Sequence, residues 1–288
     1  MYPVFEKRNM SEWGRIRFAP NTSGRLHLGN ARTALVAYLY ARGKGYKFDL
    51  RFDDDPVHRV PRDPEGVRGP EFEKGERENQ MDQELRWLGL EWDRGYRLSE
   101  RLGLAQWVID TLEIESFDSV IQPYSTMRDV FLHRPNESTL PSAFVSFVDD
   151  VLTGTVEHVR GTDLRPLEKL EKALRVQAGS NLGFPWDYVP KYRYAAILGP
   201  SEGKWHKSGG AGVTLRGCME AGIDPVTLQR YLLGTLAGDP DQFDQASKPT
   251  MIQAVVKDDF WKSAVSYEHT CWDPEEFEEL FGRWVRDV

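Results

Sequence analysis

The stretch RIRFAPNTSGRLHLGNARTALVAYLYARGKGYKFDLRF, residues 15–52, decides the fold. It predicts a short strand over 15–19, a turn over 20–24, and a helix over about 30–42 that ends at a Gly-Lys-Gly sequence. Apolar and charged residues then alternate from Tyr46 to Phe52, which is typical of a strand with one buried face. A strand, a glycine-containing turn, a helix and a second strand form a βαβ unit. Such units build parallel sheets and place ligands at the carboxyl ends of the strands.

The rest of the chain is predicted to alternate helices and strands. Residues 53–79 are charged and rich in Pro and Gly, which is typical of an exposed loop. The elements predicted beyond this loop are two helices around 81–88 and 104–112, two strands over 144–148 and 155–159 joined by a turn at Thr153-Gly154, a helix opened by Pro166, and a strand over 193–198. Past residue 212 the pattern is helical, with helix starts at Asp224-Pro225 and Asp273-Pro274.

Composition excludes several classes of protein. Of 288 residues, 40% are apolar and 12% are aromatic, too many for a disordered or fibrous chain. No run approaches the ~20 apolar residues of a membrane-spanning helix, and the polar N-terminus lacks a secretory signal, so we expect a cytoplasmic protein without a membrane partner. Two distant cysteines argue against a disulfide framework or zinc module. A net charge of −8 argues against broad nucleic-acid binding but is compatible with a local tRNA groove.

The first candidate site is the turn PNTSGRLHLGN, residues 20–30. Its small residues let backbone N–H groups approach an anion, and the start of the following helix favours negative charge. His27 can add a donor to a phosphate, and Gly29 leaves room for a nucleotide against the backbone. The alternative is an ordinary surface turn.

The second candidate is the loop GPSEGKWHKSGGAG, residues 199–212, directly after a predicted strand. Such a loop can close over a triphosphate, where Lys204 and Lys207 can neutralise charge that builds up on phosphorus. The alternative is a solvated charged loop. Both candidates lie at predicted strand ends, and this coincidence favours a shared site.

Two motifs carry a resemblance to a known family. Residues 17–35 closely resemble the first motif of class I glutamyl-tRNA synthetases, and residues 204–208 resemble their second, lysine-containing motif. Further landmarks match in the same order at residues 50–54, 87–93, 99–102, 148–150 and 159–163. The resemblance extends from about Arg15 to at least Tyr231. The chain also resembles the related glutamyl-queuosine tRNA(Asp) synthetases.

The resemblance implies a Rossmann-type parallel α/β sheet with a small C-terminal helical region, which condenses ATP with an amino acid. It implies catalytic roles for His27, Lys204 and Lys207, with Lys207 as the transition-state contact. The residues it implies for ATP are Ala19, Pro20, His27, Gly29, Asn30, Lys204, Lys207 and Ser208. Those it implies for the amino acid are Arg17, Ala19, Asn21, Asp53, Ser142 and Arg160. We expect Mg²⁺ held mainly by the phosphates, no metal-ligating residues, and no zinc.

The resemblance also implies a division into domains. We expect a catalytic domain over residues 1–215, with a shortened acceptor-binding insertion at about 103–141, and a helical region over 216–288. No anticodon-binding domain is expected after the lysine loop. The zinc-binding cysteines of the glutamyl-queuosine branch are absent.

Three departures from the family pattern concern the substrate. Asp53 stands where the family has Glu, Asn21 where it has Ser, and Ser142-Ala143 where it has a Tyr-Asn pair. A shorter ammonium partner and a lost tyrosine ring change the pocket. We therefore expect the amino acid to differ from plain glutamate, or to bind differently.

Three functions are compatible with the sequence. The first is a ligase that activates an amino acid, glutamate or an analogue, and passes it to a non-tRNA acceptor, a small molecule or a carrier protein. The second retains tRNA as the acceptor, as in glutamyl-tRNA or glutamyl-queuosine synthetases. The third is a non-catalytic regulator that binds an amino acid or adenylate. Retention of His27, Lys204 and Lys207 argues against the regulator.

Overall fold

The structure is a computed structural model that describes residues 14–22, 24–54, 75–111, 142–169, 171–172, 190–199, 213–237, 240–264 and 269–271. It confirms the predicted βαβ unit as strand β1 (Arg15–Phe18), helix α1 (Leu28–Lys44) and strand β2 (Lys47–Phe52), with β1 and β2 paired in parallel. Helix α1 ends at Gly45, whose φ of 70° lies in the left-handed region that favours glycine.

Strand β2 is buried on both sides, which corrects the prediction of one exposed face. Within it only Lys47 is exposed, whereas Asp49 and Arg51 keep 2% and 0% of their accessible surface. Asp49 is held by Arg15 Nε at 3.0 Å and by Arg94 Nη2 at 2.7 Å. The alternation predicted an exposed face because it cannot reveal that charged residues are buried as ion pairs.

A third parallel strand, β3 (Arg94–Arg97), pairs with β2. It has no counterpart among the predicted elements, because four residues with a single buried side chain show no alternation. It follows α2 (Glu76–Trp87) and precedes a 3-10 turn (Leu98–Arg101) and α3 (Leu102–Thr111). The two helices predicted around 81–88 and 104–112 are thereby confirmed.

Helix α4 (Ser142–Thr153) replaces the strand predicted over 144–148. That prediction is wrong because the buried apolar residues recur at helical spacing, as Val145, Val148 and Val151. A short apolar run is compatible with either element, and only the longer window separates them.

Strand β4 (Glu157–Gly161) confirms the strand predicted over 155–159, two residues further along. The backbone N–H of Val156 donates to the carbonyl oxygen of Arg15 at 3.0 Å, which places β4 beside β1. A 3-10 turn (Thr162–Leu164) follows, and residues 165–169 and 171–172 are helical, as the Pro166 signal predicts.

The strand predicted over 193–198 is two strands, β5 (Lys191–Ala195) and β6 (Ile197–Gly199). β5 pairs in parallel with β4, whereas β6 pairs in parallel with β7 (His269–Cys271). The chain changes partner at Ala196, whose backbone N–H donates to the carbonyl oxygen of Ala264 at 2.8 Å. β7 lies in a region predicted to be helical, and the predicted helix start at Asp273 lies outside the described residues.

Among the described residues after 212, the helices are α5 (Leu215–Glu220), α6 (Pro225–Ala237), α7 (Lys248–Val255) and α8 (Asp258–Ala264), with a 3-10 turn at Pro240–Phe243. The predicted cap at Asp224 is confirmed, since its carboxylate accepts from the backbone N–H of Thr227 at 2.7 Å. No helix in the described part of the chain is long and apolar enough to cross a membrane.

Helix α1 lies at the centre of the hydrophobic core. Its residues from Ala34 to Ala41 are all buried, and it packs against β1 and β2 and against α6 and α7. The helices after residue 212 therefore share a core with the βαβ unit. The domain boundary at residue 215 stays a prediction.

Candidate active site

A cavity of about 370 Å³ opens at the carboxyl ends of β1, β2 and β4, beside β6. Ala19 follows β1, Asp53 follows β2 and Gly161 ends β4, so each strand contributes to its wall. The cavity has a helix end, formed by His27, Gly29 and Asn30, and an arginine end, formed by Arg17, Asp53 and Arg160. Both its size and its position at the strand ends are typical of small-ligand sites in α/β sheets.

The helix end is organised by the backbone. His27 is the N-cap of α1, and its Nδ1 accepts a hydrogen bond from the backbone N–H of Asn30 at 3.3 Å. The backbone N–H of Leu28 donates to the carbonyl oxygen of Val213 at 3.1 Å, which joins this turn to the chain before α5. Because Nδ1 is the acceptor, the neutral imidazole carries its proton on Nε2, from which it can donate to an anion.

Gly29 keeps this end of the cavity open. A Cβ at Gly29 would lie 3.0 Å from the His27 ring and 3.2 Å from the carbonyl oxygen of Leu198. A side chain would therefore fill the gap between α1 and β6. The N–H groups of Leu28 and Asn30 are already engaged by Val213 and His27, but the start of the helix still carries the positive end of the helix dipole. The residues present fit the phosphates of a nucleotide.

At the arginine end, Arg17 is ion-paired with Asp150 of α4. Both Nε and Nη2 of Arg17 contact the carboxylate, with Nη2 2.6 Å from Oδ2, and Nη2 also donates to Ser146 Oγ at 2.9 Å. Burial raises the pKa of Asp150, but the charges of Arg17, His158 and Arg51 outweigh it and hold that pKa well below its ordinary value. Asp150 is therefore a permanent anion beside Arg17.

Arg51 is fully buried behind the arginine end and is shared by three acids, Asp53, Asp149 and Asp150. Its Nε and Nη2 contact the Asp53 carboxylate at 2.7 and 3.2 Å, and its Nη1 contacts Asp149 at 2.9 Å. Burial lowers the pKa of Arg51, but Asp53, Asp150 and Asp149 raise it, and the result lies above its ordinary value. Asp53 is held by this cation with 21% of its side chain exposed, so its carboxylate can still meet an ammonium group.

Arg160, in β4, is paired with Glu171. Its Nη1 lies 2.9 Å from Glu171 Oε1, and its guanidinium lies over the Tyr192 ring, 5.3 Å from the centroid. Burial lowers the pKa of Arg160, but Glu171 and Asp150 raise it above its ordinary value. Arg160 therefore stays charged despite its burial.

The structure brings together seven of the residues that the resemblance assigns to ligands. The cavity is lined by Arg17, Ala19, His27, Gly29, Asn30, Asp53 and Arg160. Pro20 and Asn21 lie outside this lining: the Pro20 carbonyl oxygen accepts from the backbone N–H of Asp53 at 3.0 Å, and Asn21 forms a parallel bridge with Asp53.

Four predicted site residues are not placed by the structure. Ser142 begins α4, but its side chain is outside the described part. Lys204, Lys207 and Ser208 lie outside the described residues. Their roles stay predictions, as do those of the residues that line the cavity.

The lining residues with polar side chains that are absent from the predicted site are Thr33, Ser146, Asp163 and Glu171. Ser146 lies one helical turn after Ser142, and the i, i+4 rule would have found it had 142–153 been taken as a helix. Glu171 carries no local signal, because an acidic residue in a helix ordinarily faces solvent. Its position depends on Arg160, which lies on another element.

The described ranges contain no group of three or more His, Cys, Asp or Glu side chains that could hold a metal ion. The Mg²⁺ that the resemblance implies is one carried by phosphates, and it stays a prediction. Cys218 lies in α5 and is buried.

Sequence comparison finds relatives among the aminoacyl-tRNA synthetases. Residues 15–116 match the family described as tRNA synthetases class I (E and Q), catalytic domain. The chain is 28% identical over 287 aligned positions to a glutamate–tRNA ligase of Aquifex aeolicus (strain VF5), a match that covers 76% of this chain and 56% of that protein. The chain therefore spans little more than half the length of this relative.

Solved structures show the same fold. A glutamate–tRNA ligase from Elizabethkingia meningosepticum, in complex with its amino acid, matches with a TM-score of 0.64 at 18% identity, over 93% of this chain and 69% of that chain. A tyrosyl-tRNA synthetase from Archaeoglobus fulgidus, complexed with L-tyrosine, matches with a TM-score of 0.53 at 17% identity, over 88% and 89%. The predicted Rossmann-type fold and the predicted resemblance to glutamyl-tRNA synthetases are confirmed.

Proposed function

We propose that this chain, which is similar to class I glutamyl-tRNA synthetases, is a ligase that uses ATP to activate an α-amino acid as its aminoacyl-adenylate. The observation that carries the proposal is one cavity with a helix N-terminus at one end and Arg17, Asp53 and Arg160 at the other. A helix N-terminus suits phosphates, and a partly exposed carboxylate beside arginines suits an amino acid. The helix end therefore suits ATP and the arginine end suits the amino acid, which are the two substrates of an adenylation reaction.

In the proposed reaction, a carboxylate oxygen of the amino acid attacks the α-phosphorus of ATP. The bond from that phosphorus to the α,β-bridging oxygen breaks, and pyrophosphate leaves with the bonding electron pair. Asp53 holds the α-ammonium group and so orients the carboxylate for attack. His27 and the start of α1 hold the phosphates, while Lys204 and Lys207, assigned by resemblance, neutralise the charge that develops on them.

We further propose an acceptor other than tRNA, namely an amine, a thiol or a carrier protein. The net charge of −8 and the shortened segment at about 103–141, where the resemblance implies an acceptor-binding insertion, support this choice. The alternative acceptor is tRNA, which the printed names of the similar glutamate–tRNA ligases favour.

The decisive experiment is ATP–pyrophosphate exchange with a panel of amino acids, with and without total tRNA. We expect exchange without tRNA, because the proposed acceptor is not a nucleic acid. Exchange that requires tRNA would refute the non-tRNA acceptor and leave activation standing. Absence of exchange in both conditions would refute activation itself.

A substitution of Lys207, in the loop over residues 199–212, can be tested in the same assay. Lys207→Ala is expected to lower exchange by about 10²-fold or more, since it removes a cation from the transition state. Lys262→Ala is a matched control, because Lys262 lies on α8, is 78% exposed, and pairs at the surface with Asp259. Full exchange in Lys207→Ala would show that the role assigned to this lysine is wrong.

A further inference from the structure

Arg160 is already neutralised by a carboxylate inside the cavity. Arg160 Nη1 and Glu171 Oε1 are 2.9 Å apart, and each of the two side chains is 8% exposed. Both residues line the cavity, so the ion pair is part of its wall rather than a support behind it. A ligand that reaches Arg160 therefore also meets Glu171.

Glu171 is held in this position by a second partner. The Tyr192 hydroxyl donates to Glu171 Oε2 at 2.7 Å, and the Tyr192 ring stacks on His158 with 5.0 Å between centroids. Each carboxylate oxygen is thus engaged by a side chain that is itself packed. A ligand carboxylate would have to displace Glu171 from both partners or lie against a like charge in a buried, weakly screened site.

Arg17 offers no alternative site for a second ligand carboxylate. Asp150 engages both Nε and Nη2 of Arg17, and Ser146 Oγ accepts from the same Nη2. Arg17 and Arg160 are the arginines of the cavity lining within the described part of the chain, and each is paired with a buried acid. The positive charge of each guanidinium at the arginine end is therefore already balanced by a buried acid.

We infer that Glu171 determines the specificity of this cavity and that its amino acid carries no side-chain carboxylate. The inference rests on the proposed function, which makes the ligand an α-amino acid. A neutral side chain that both accepts and donates, such as a carboxamide, suits the pair, because its carbonyl can accept from Arg160 while its N–H donates to Glu171. Glu171 excludes the acid by repulsion, which is how many sites discriminate between ligands of equal size.

Binding calorimetry with two matched pairs of amino acids tests the inference. Glutamate with glutamine, and aspartate with asparagine, are nearly equal in size and differ in side-chain charge. The wild-type protein is expected to bind the better amide at least tenfold more tightly than its acid. Glu171→Gln is expected to remove that preference, because the new side chain can still accept from Tyr192 but no longer repels an anion.

Glu168→Gln is the matched control. Glu168 lies one turn earlier in the same helical segment, and its carboxylate accepts from the Tyr194 hydroxyl at 2.6 Å, but it is not part of the cavity lining. The same chemical change on a tyrosine-bonded glutamate should leave the amide-to-acid ratio within about twofold of wild type.

Three results would overturn the inference. They are equal or tighter binding of the acid by wild type, an unchanged ratio in Glu171→Gln, and no binding of any of the four amino acids by either protein. Pyrophosphate exchange on the same samples distinguishes failure of the inference about Glu171 from failure of the proposed activation reaction. Binding with the expected ratio but without exchange would refute activation and leave the role of Glu171 intact.

Discussion

The two ends of the cavity are built in different ways. At the helix end, His27 caps the backbone of Asn30 three residues further along, and the backbone N–H of Leu28 joins this turn to the carbonyl oxygen of Val213. At the arginine end, the partners are remote in sequence: Arg17 and Asp150 are separated by 133 positions, and Arg51 and Asp149 by 98. One end is thus specified by local backbone chemistry, and the other by buried charges that must balance across the assembled sheet.

The largest effect is expected at Arg51. Arg51→Met leaves the Asp53 carboxylate without this cation and removes one of the two arginines that pair with Asp149, the other being Arg101, so we expect a loss of about 3–5 kcal/mol in the free energy of unfolding. Urea denaturation followed by circular dichroism measures it. Arg86→Met is the control, because Arg86 is 56% exposed on α2 and pairs with Asp82 at the surface, and its loss should cost less than about 1 kcal/mol. Similar losses of unfolding free energy in Arg51→Met and Arg86→Met would contradict the claim that buried charges specify the arginine end.

A smaller, pH-dependent effect on stability is expected at Glu84. Burial raises the pKa of Glu84, in α2, to about 7, against the attraction of Arg216 and Arg25. Its folded pKa exceeds the ordinary 4.5, so its deprotonation costs stability progressively as pH rises from 4.5 to about 7. Glu84→Gln is therefore expected to raise the free energy of unfolding by about 3 kcal/mol at pH 8 and to change nothing below pH 4.5.

Asp150 provides the comparison of opposite sign. Its folded pKa lies below the ordinary 3.8, so its stabilising contribution is present above that value and is lost as pH falls through the acid range.

Denaturation curves at pH 8, 6 and 4 are sufficient to measure the effect of Glu84→Gln. A gain from Glu84→Gln that is independent of pH would contradict the assigned titration.

The smallest effect on stability is expected at His27. His27→Ala removes the N-cap of α1 and should cost about 1 kcal/mol, whereas His27→Asn restores a capping side chain and should cost little. Both variants lose the imidazole and should lose pyrophosphate exchange alike. Thermal denaturation measures the stability of each variant, and pyrophosphate exchange measures its activity. Loss of stability in His27→Asn equal to that in His27→Ala would contradict the capping role.

The parts of the fold that the sequence predicts correctly are those with a local cause. Residues 15–52 carry both periodicities and a glycine stop, and the βαβ unit follows from them. The short apolar run at 144–148 fits a strand or a helix equally, and tertiary packing selects α4. β3 and β7 are too short to show a period, and they are strands because a neighbouring strand pairs with them.

The candidate site divides along the same line. His27, Gly29 and Asn30 belong to one contiguous motif, so resemblance and anion-binding chemistry both predict them. Ser146 and Glu171 come from two other elements and acquire their role through Arg17 and Arg160. Sequence reasoning expects those arginines to clamp the substrate, and only the three-dimensional structure reveals the acids that already occupy them.

The ion pair between Arg17 and Asp150 also bears on how the protein is made. A ribosome adds about 5–20 residues per second, so Arg17 precedes its partner by on the order of ten seconds. During this interval Arg51 already has Asp53 as a partner, but the sheet cannot close around Arg17 without burying an unpaired cation, at a cost that exceeds what a small βαβ unit can offset. A nascent chain that ends before α4 therefore keeps its first two strands open to water, and the emergence of α4 permits the sheet to close.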